Sequence, residues 1–465
     1  MSCLAPSTTS FQSTEIINQR SVSGEPQQQR CASFSCYVFW LSYEPMVNSP
    51  GSASIHILDD DSLLHIFYLY RPFVLGKDND DDAHLLGDGR WICGGWWYKP
   101  AHVCQRWRNI ILGSSFYLDV SLVCTNGTPV ADMLAHSPPL SLVVDYLQEY
   151  RDITAEDEDG IILALKQRDR IRRVRLQMSS TSLQKLIGAI DEEYPILEYF
   201  IMHSEDPNSI LIFPKNFQAP HLYHLALGGF TLPIGSRLLT TTAGLVTLLV
   251  IMTRRSTYFH PDTLLRWLSS IPQLETLGIV FSRPIHNHDA ERHLTRTLNT
   301  APVALPNLHR FTFRGFSTYL EELVHRIITP RLEKLQIDFF SQFAYSVPHL
   351  QHFMNTTESL RFDSAKFKFS KWGVDLEANL RGEEAAIYAL SINVRCVDLD
   401  WQVSVVAQIF NSLKQMFSVV EHLTLEHEVR SLSSDEHDEV DHIEWRKLLS
   451  LFSNVKTPCI AHGLV

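Results

Sequence analysis

One motif, Pro-x-Leu-x-x-apolar-x-apolar, is spelled five times in this chain. It reads PILEYFIM from Pro195, PHLYHLAL from Pro220, PQLETLGI from Pro272, PNLHRFTF from Pro306 and PRLEKLQI from Pro330. Apolar triplets alone would recur by accident in a sequence that is 45% apolar. Proline, however, is only 22 of 465 residues, so five prolines at one offset are a pattern. Proline cannot continue a preceding helix and suits the first residue of a strand. Copies without it are IRRVRL from Ile171, LVTLLV from Leu245, VRCVDL from Val394 and VEHLTL from Val420, with TESLRF from Thr357 a weaker match. LDVSLV and LSLVVDY, upstream, begin the same sheet.

Between the strands lie helical fillers such as TSLQKLIGAIDEEY, HPDTLLRWLSSI, STYLEELVHRIIT and QVSVVAQIFNSLKQMF. A strand-plus-helix unit of roughly 20–29 residues is the leucine-rich-repeat period, here irregular and therefore degenerate. Strands joined by helices on one side run parallel, which predicts an α/β architecture: a leucine-rich-repeat-like solenoid over residues 116–465, with a curved parallel sheet and helices on its outer side.

Residues 1–54 are rich in Ser, Thr, Gln and Pro. They bury too little apolar surface to offset ordering entropy, so a disordered polar tail is expected. Its one apolar patch, CYVFWLSY, is too short to span a membrane, and no run approaches the roughly 18 apolar residues a span requires. The opening MSCLAPSTTSFQ lacks a basic region followed by a continuous apolar one, so no secretory signal is expected. The eight cysteines contain no C-x-x-C pair, which predicts reduced thiols in the cytoplasm or nucleus. A net charge of −12 disfavours a general nucleic-acid binder.

Residues 55–115 form a separate unit. LDDDSLLHIFYLY reads as a helix opened by Asp59 to Asp61 and stopped by Pro72, with Leu63, Leu64 and Phe67 on one face and Ile66 beside them. An acidic, glycine-bounded insert follows at about 72–95. WWYKPAHVCQRWRNIIL then predicts a second helix with Val103, Cys104, Trp107, Ile110 and Ile111 at helical spacing. Together LDDDSLLHIFYLY and VCQRWR resemble an F-box, and the resemblance is closest to the fungal F-box-like proteins, which carry a long insert here and degenerate repeats behind. It departs from that pattern at Asp59, where the box has proline, and at Asp61, where it commonly has glutamate. The resemblance implies docking of a Skp-type adaptor, and through it a cullin–RING ubiquitin ligase, by Leu58, Leu63, Leu64, Ile66, Phe67, Val103, Cys104 and Trp107, with Arg108 completing the motif. The repeats would hold an unknown protein client. The competing expectation is a non-catalytic repeat scaffold whose box no longer binds the adaptor.

Other candidates weigh less. DNDDDAHLLGDG, from Asp78, has Ala83 and Gly89 where a calcium loop needs Gly and Glu. HEVRSLSSDEHDEVDHIEW, from His427, lacks a helical His-x-x-x-His pair. His102 and Cys104, two apart on a helix, would point to different faces. No phosphate-loop, nucleophile-elbow, dinucleotide or zinc-protease motif occurs, so neither enzyme activity nor a cofactor is expected. For the client, residues alternating with the inward apolar positions would line the open sheet face. Arg173, Arg175, Arg310, Arg314 and Lys334 would make it basic from start to middle. Asp398, Asp400, His422 and Glu426 would make its end acidic.

Overall fold

The computed structural model describes residues 57–71, 73–74, 91–92, 95–147, 153–206, 209–233, 235–253, 257–284, 302–342, 344–357, 359–360, 362–379, 388–396, 399–427 and 442–460. The chain divides into two units, 1–53 and 54–465. All described residues lie in the second, so the expected tail falls outside them, as does most of the acidic insert. The ends of that insert, Phe73–Val74 and Trp91–Ile92, pair antiparallel.

The second unit is mixed α/β and is dominated by one 14-stranded sheet. Its strands are β1 (Ser121–Cys124), β2 (Ser141–Tyr146), β3 (Ile171–Met178), β4 (Tyr199–Ser204), β5 (His224–Gly228), β6 (Thr247–Met252) and β7 (Thr276–Phe281). They continue as β8 (Arg310–Gly315), β9 (Lys334–Phe339), β10 (Ser364–Ser370), β11 (Gly373–Asn379), β12 (Leu390–Arg395), β13 (His422–His427) and β14 (Thr457–Ile460). Strands β1 to β9 stand side by side in chain order, all parallel. The order then runs β12, β11, β10, β13, β14. Here the sheet departs from the all-parallel expectation, because β11 pairs antiparallel with both neighbours. The two-residue gap between β10 and β11 is too short for a parallel crossover, so it forces a hairpin.

The repeated proline has a different place from the one expected. In all five copies the strand starts four residues after it, and the proline opens a tight turn. The leucine N–H closes that turn on the carbonyl preceding the proline: Leu197 to Tyr194 (3.4 Å), Leu222 to Ala219 (3.1 Å), Leu274 to Ile271 (3.2 Å), Leu308 to Leu305 (3.2 Å) and Leu332 to Thr329 (3.3 Å). Proline presets φ for the second position of such a turn, which accounts for its recurrence. All five leucines are fully buried. Beyond each turn, one carbonyl of a unit accepts two consecutive N–H groups of the next. Glu198 accepts from Tyr223 and His224, Val246 from Glu275 and Thr276, and His309 from Glu333 and Lys334. A carbonyl has two lone pairs, so this double acceptance sets the register of each strand as it enters the sheet.

One sheet face is the main core. Leu225, Leu248, Leu277, Phe311 and Leu335 lie in register across it and are buried. Helices pack on this face. Tyr319 of the helix Ser317–Val324 meets Phe281 edge-on at 5.0 Å, and Phe410 of the helix Leu399–Ser412 meets Phe367 at 5.4 Å. No helix among the described residues is long and apolar enough to cross a membrane.

Two of the copies without the proline are not strands as written. The described residues of TESLRF lie before β10 and outside any strand, and only Val394 and Arg395 of the copy from Val394 belong to β12.

Candidate functional site

Two helices, α1 (Asp60–Tyr70) and α3 (Gln105–Gly113), pack together in the N-terminal part of the described unit, with the short α2 (Tyr98–Ala101) between them. The expected continuous second helix is thus broken. Cys104 is extended at φ −159° and stands just before α3. Asp59, at the position of the missing proline, starts α1 by another means. Its Oδ1 accepts the Ser62 N–H at 2.7 Å, and that bond, with the Ser62 hydroxyl, holds its carboxyl below the usual range. Arg106 ties the two helices together: its Nη2 lies 2.6 Å from Asp60 Oδ1 and donates to the Leu58 carbonyl at 2.6 Å. Arg108 Nε donates to the Ala101 carbonyl at 3.1 Å, so this motif arginine holds α2 to α3. Trp97, buried, donates its Nε1–H to the Ser121 carbonyl at 3.1 Å and anchors the helical unit to β1.

The eight candidate adaptor residues divide by exposure. Leu63 and Phe67 are 0% and 2% exposed, and Phe67 packs edge-on against half-buried Trp107 at 5.0 Å. A side chain already enclosed cannot also reach into a partner's groove, so Leu63 and Phe67 are internal packing and not docking contacts. Leu58, Leu64 and Cys104 are half-buried. Ile66 (43%) and Val103 (58%) face out. Sequence reasoning missed Leu69 (66%) and Tyr70, which stand three and four positions beyond Ile66 and extend the same exposed apolar strip. That spacing was present in the sequence; what was lacking was knowledge of which side α3 covers.

The strand register places the candidate client residues on the sheet face opposite the main core. Arg173, Tyr199, His224, Thr247, Thr276, Arg310 and Lys334 form one row across it. Arg175 falls in the second row and Arg314 in the third. Several of these charges are already engaged. Arg173 meets Asp119 at 2.9 Å, Arg175 meets Asp145 at 3.2 Å, and Arg314 meets Asp338 at 2.5 Å. Arg310 is exposed beside Lys334, whose ammonium is held below its ordinary range by burial and then by Arg310. The acidic end is corrected in part. Asp400 belongs to the helix Leu399–Ser412 and not to a strand, while Asp398 lies outside the described residues. His422 and Glu426 do lie on β13, with Glu426 2.9 Å from Lys366.

Nor is the middle of this face an open polar surface. Tyr199, Ile201, Ala226, Leu249 and Val280 form an apolar cluster only 0–5% exposed. Strands buried on both faces read as continuous apolar runs, and YFIM in β4, LLVIM in β6 and IVF in β7 do so. By contrast β8, RFTFRG, alternates.

The calcium-loop candidate and residues 428–441 of the His427 excursion lie outside the described residues. Among the described residues, no three His, Cys, Asp or Glu side chains converge to hold a metal ion. His102 is exposed in the turn after α2, and Cys104 is half-buried. No protein-family model matches the sequence, and no curated protein matches it.

Proposed function

We propose that this protein is a non-catalytic substrate receptor of a cullin–RING ubiquitin ligase. An F-box formed by α1–α3 docks a Skp-type adaptor, and a leucine-rich-repeat-like array over β1–β14 holds a protein client in the cytoplasm or nucleus. The observation that carries this reading is the exposed apolar strip Ile66, Leu69 and Tyr70 on α1, a helix locked from within by Phe67 and Trp107. Clustered exposed apolar side chains mark an interaction surface. The test is a pull-down of the full chain with purified Skp-type adaptor. Ile66→Asp with Leu69→Asp abolishes capture without lowering the melting temperature; capture equal to wild type would overturn the reading.

A second reading, a repeat scaffold with an inactive box, is favoured by the enclosure of Leu63 and Phe67, two of the positions matched to the box. It predicts no adaptor capture even at micromolar protein, with the client array intact. Between the two, the exposed strip favours the receptor, because a scaffold has no need of three neighbouring apolar side chains facing out.

A further inference from the structure

Arg310 at the start of β8 and Lys334 at the start of β9 stand directly opposite each other in the parallel ladder. Adjacent strands lie about 4.8 Å apart, and like charges placed opposite one another destabilise a sheet. The alternation that sends Phe311 and Leu335 into the main core puts both cations on the other face. The enclosed apolar cluster of that face ends one strand earlier, at Val280 of β7. Arg310 is exposed and Lys334 half-buried, so solvent reaches both.

The other candidate cations of this face are neutralised in place, Arg173 by Asp119, Arg175 by Asp145 and Arg314 by Asp338. Arg310 and Lys334 differ. Among the described residues, neither side chain has a hydrogen bond or an ion pair. The flanking positions of the face are uncharged: Thr276 lies opposite Arg310 on β7, and Thr312 and Gln336 lie two residues along the two strands. Glu333, which precedes Lys334, lies 3.5 Å from His309 Nδ1. Burial and then Arg310 disfavour the charge on Lys334, with Glu333 acting against them. The fold thus keeps two positive charges side by side without a bonded counter-charge, and an anion between them would relieve that repulsion.

We propose that Arg310 and Lys334 together bind a phosphate monoester. Such a group carries about −1.5 to −2 charge at pH 7 and offers three acceptor oxygens. It balances both cations at once, whereas a lone carboxylate would leave the pair half neutralised. The planar guanidinium pairs with two of its oxygens and the ammonium with the third. The Gln336 amide and the Thr276 hydroxyl stand at the flanks as neutral donors. The same chemistry reaches the site on a phosphorylated side chain of another protein or as free phosphate. The proposal is independent of adaptor docking, because neither cation belongs to the strip on α1. Anion binding and adaptor capture are separate measurements, and either can fail while the other stands.

The test titrates the full chain by calorimetry at low salt with four probes. They are inorganic phosphate, the peptide acetyl-Gly-Gly-phosphoserine-Gly-Gly-amide, and the same peptide with serine or with aspartate at its centre. At least one of the two phosphate probes binds, and the serine peptide does not. Tighter binding by the phosphopeptide assigns the site to a phosphorylated side chain; equal or tighter binding by inorganic phosphate assigns it to free phosphate. Arg310→Gln and Lys334→Gln each weaken the bound probe by about tenfold or more, as loss of a hydrogen bond to a charged group does. Lys215→Gln, an exposed change elsewhere, leaves binding as it was. The proposal is overturned if neither phosphate probe binds at about 5 mM, a concentration at which even millimolar affinity registers. It is equally overturned if the aspartate peptide binds as tightly as the phosphate probes, or if Lys215→Gln weakens binding as much as the two variants do. Unchanged binding by Arg310→Gln and Lys334→Gln proteins that melt as the wild type does would also overturn it.

Discussion

The imidazole of His224 lies flat on the ring of Tyr199, with centroids 3.9 Å apart and planes within 7°. Both residues are enclosed, and His224 Nε2 has no hydrogen-bond partner. Burial, and then the charge of Arg175, push the histidine down to about 3. Unfolded, it would titrate near 6.5, so between those values the unfolded chain binds a proton that the folded chain refuses. The associated stability is complete above pH 6.5 and declines as the pH falls toward 3. Urea unfolding at pH 5 is expected to show about 2 kcal/mol less stability from this group than at pH 7. His203, also lowered by burial, acts in the same direction. His224→Phe keeps the stacked ring and should flatten the acid limb; an unchanged limb would show that the proton uptake lies elsewhere.

The inner and outer faces of α1 should separate cleanly. Leu63→Ala removes a fully enclosed side chain and is expected to cost about 2–5 kcal/mol in chemical denaturation. Leu69→Ala, on the exposed side, should change stability by less than about 0.5 kcal/mol. Similar losses for the two would mean that the strip is covered in solution.

Gly373 opens β11 against the end of β12. A Cβ at this position would stand 2.2 Å from the Val394 carbonyl oxygen and 3.1 Å from the Arg395 Cα. Both are backbone atoms of a paired strand and cannot rotate aside as a side chain could. Gly373→Ala should therefore cost about 1–3 kcal/mol, the range for overpacking, and should raise amide exchange selectively in β10–β12.

Arg326 and Asp262 form an ion pair whose side chains are 9% and 11% exposed, joining the start of the helix Pro261–Leu268 to the chain after Ser317–Val324. Asp262→Ala leaves the guanidinium enclosed without its main counter-charge and should cost about 3–5 kcal/mol. Adding Arg326→Met should restore most of that. A double-mutant cycle with no coupling would exclude the pair as a structural unit.

Much of the architecture was legible in the residues. The proline offset marked where each unit enters the sheet, although the proline opens the turn before the strand and not the strand itself, since its preset φ suits either place. The alternation in β3 and β8, and the helical spacing of Leu63 and Phe67, were equally readable. Periodicity reports which positions share a face, and it does so locally. It does not report what lies against that face. Whether Leu63 or Ile66 points outward depended on where α3 packs. The engagement of Arg173, Arg175 and Arg314 depended on Asp119, Asp145 and Asp338, which lie 24 to 54 residues away along the chain. The hairpin β10–β11 and the enclosed cluster around Ile201 likewise arise from segments brought together only by folding. The sequence determined the units and their faces; tertiary packing decided which faces remain free, because burial belongs to a pair of surfaces and not to a string of residues.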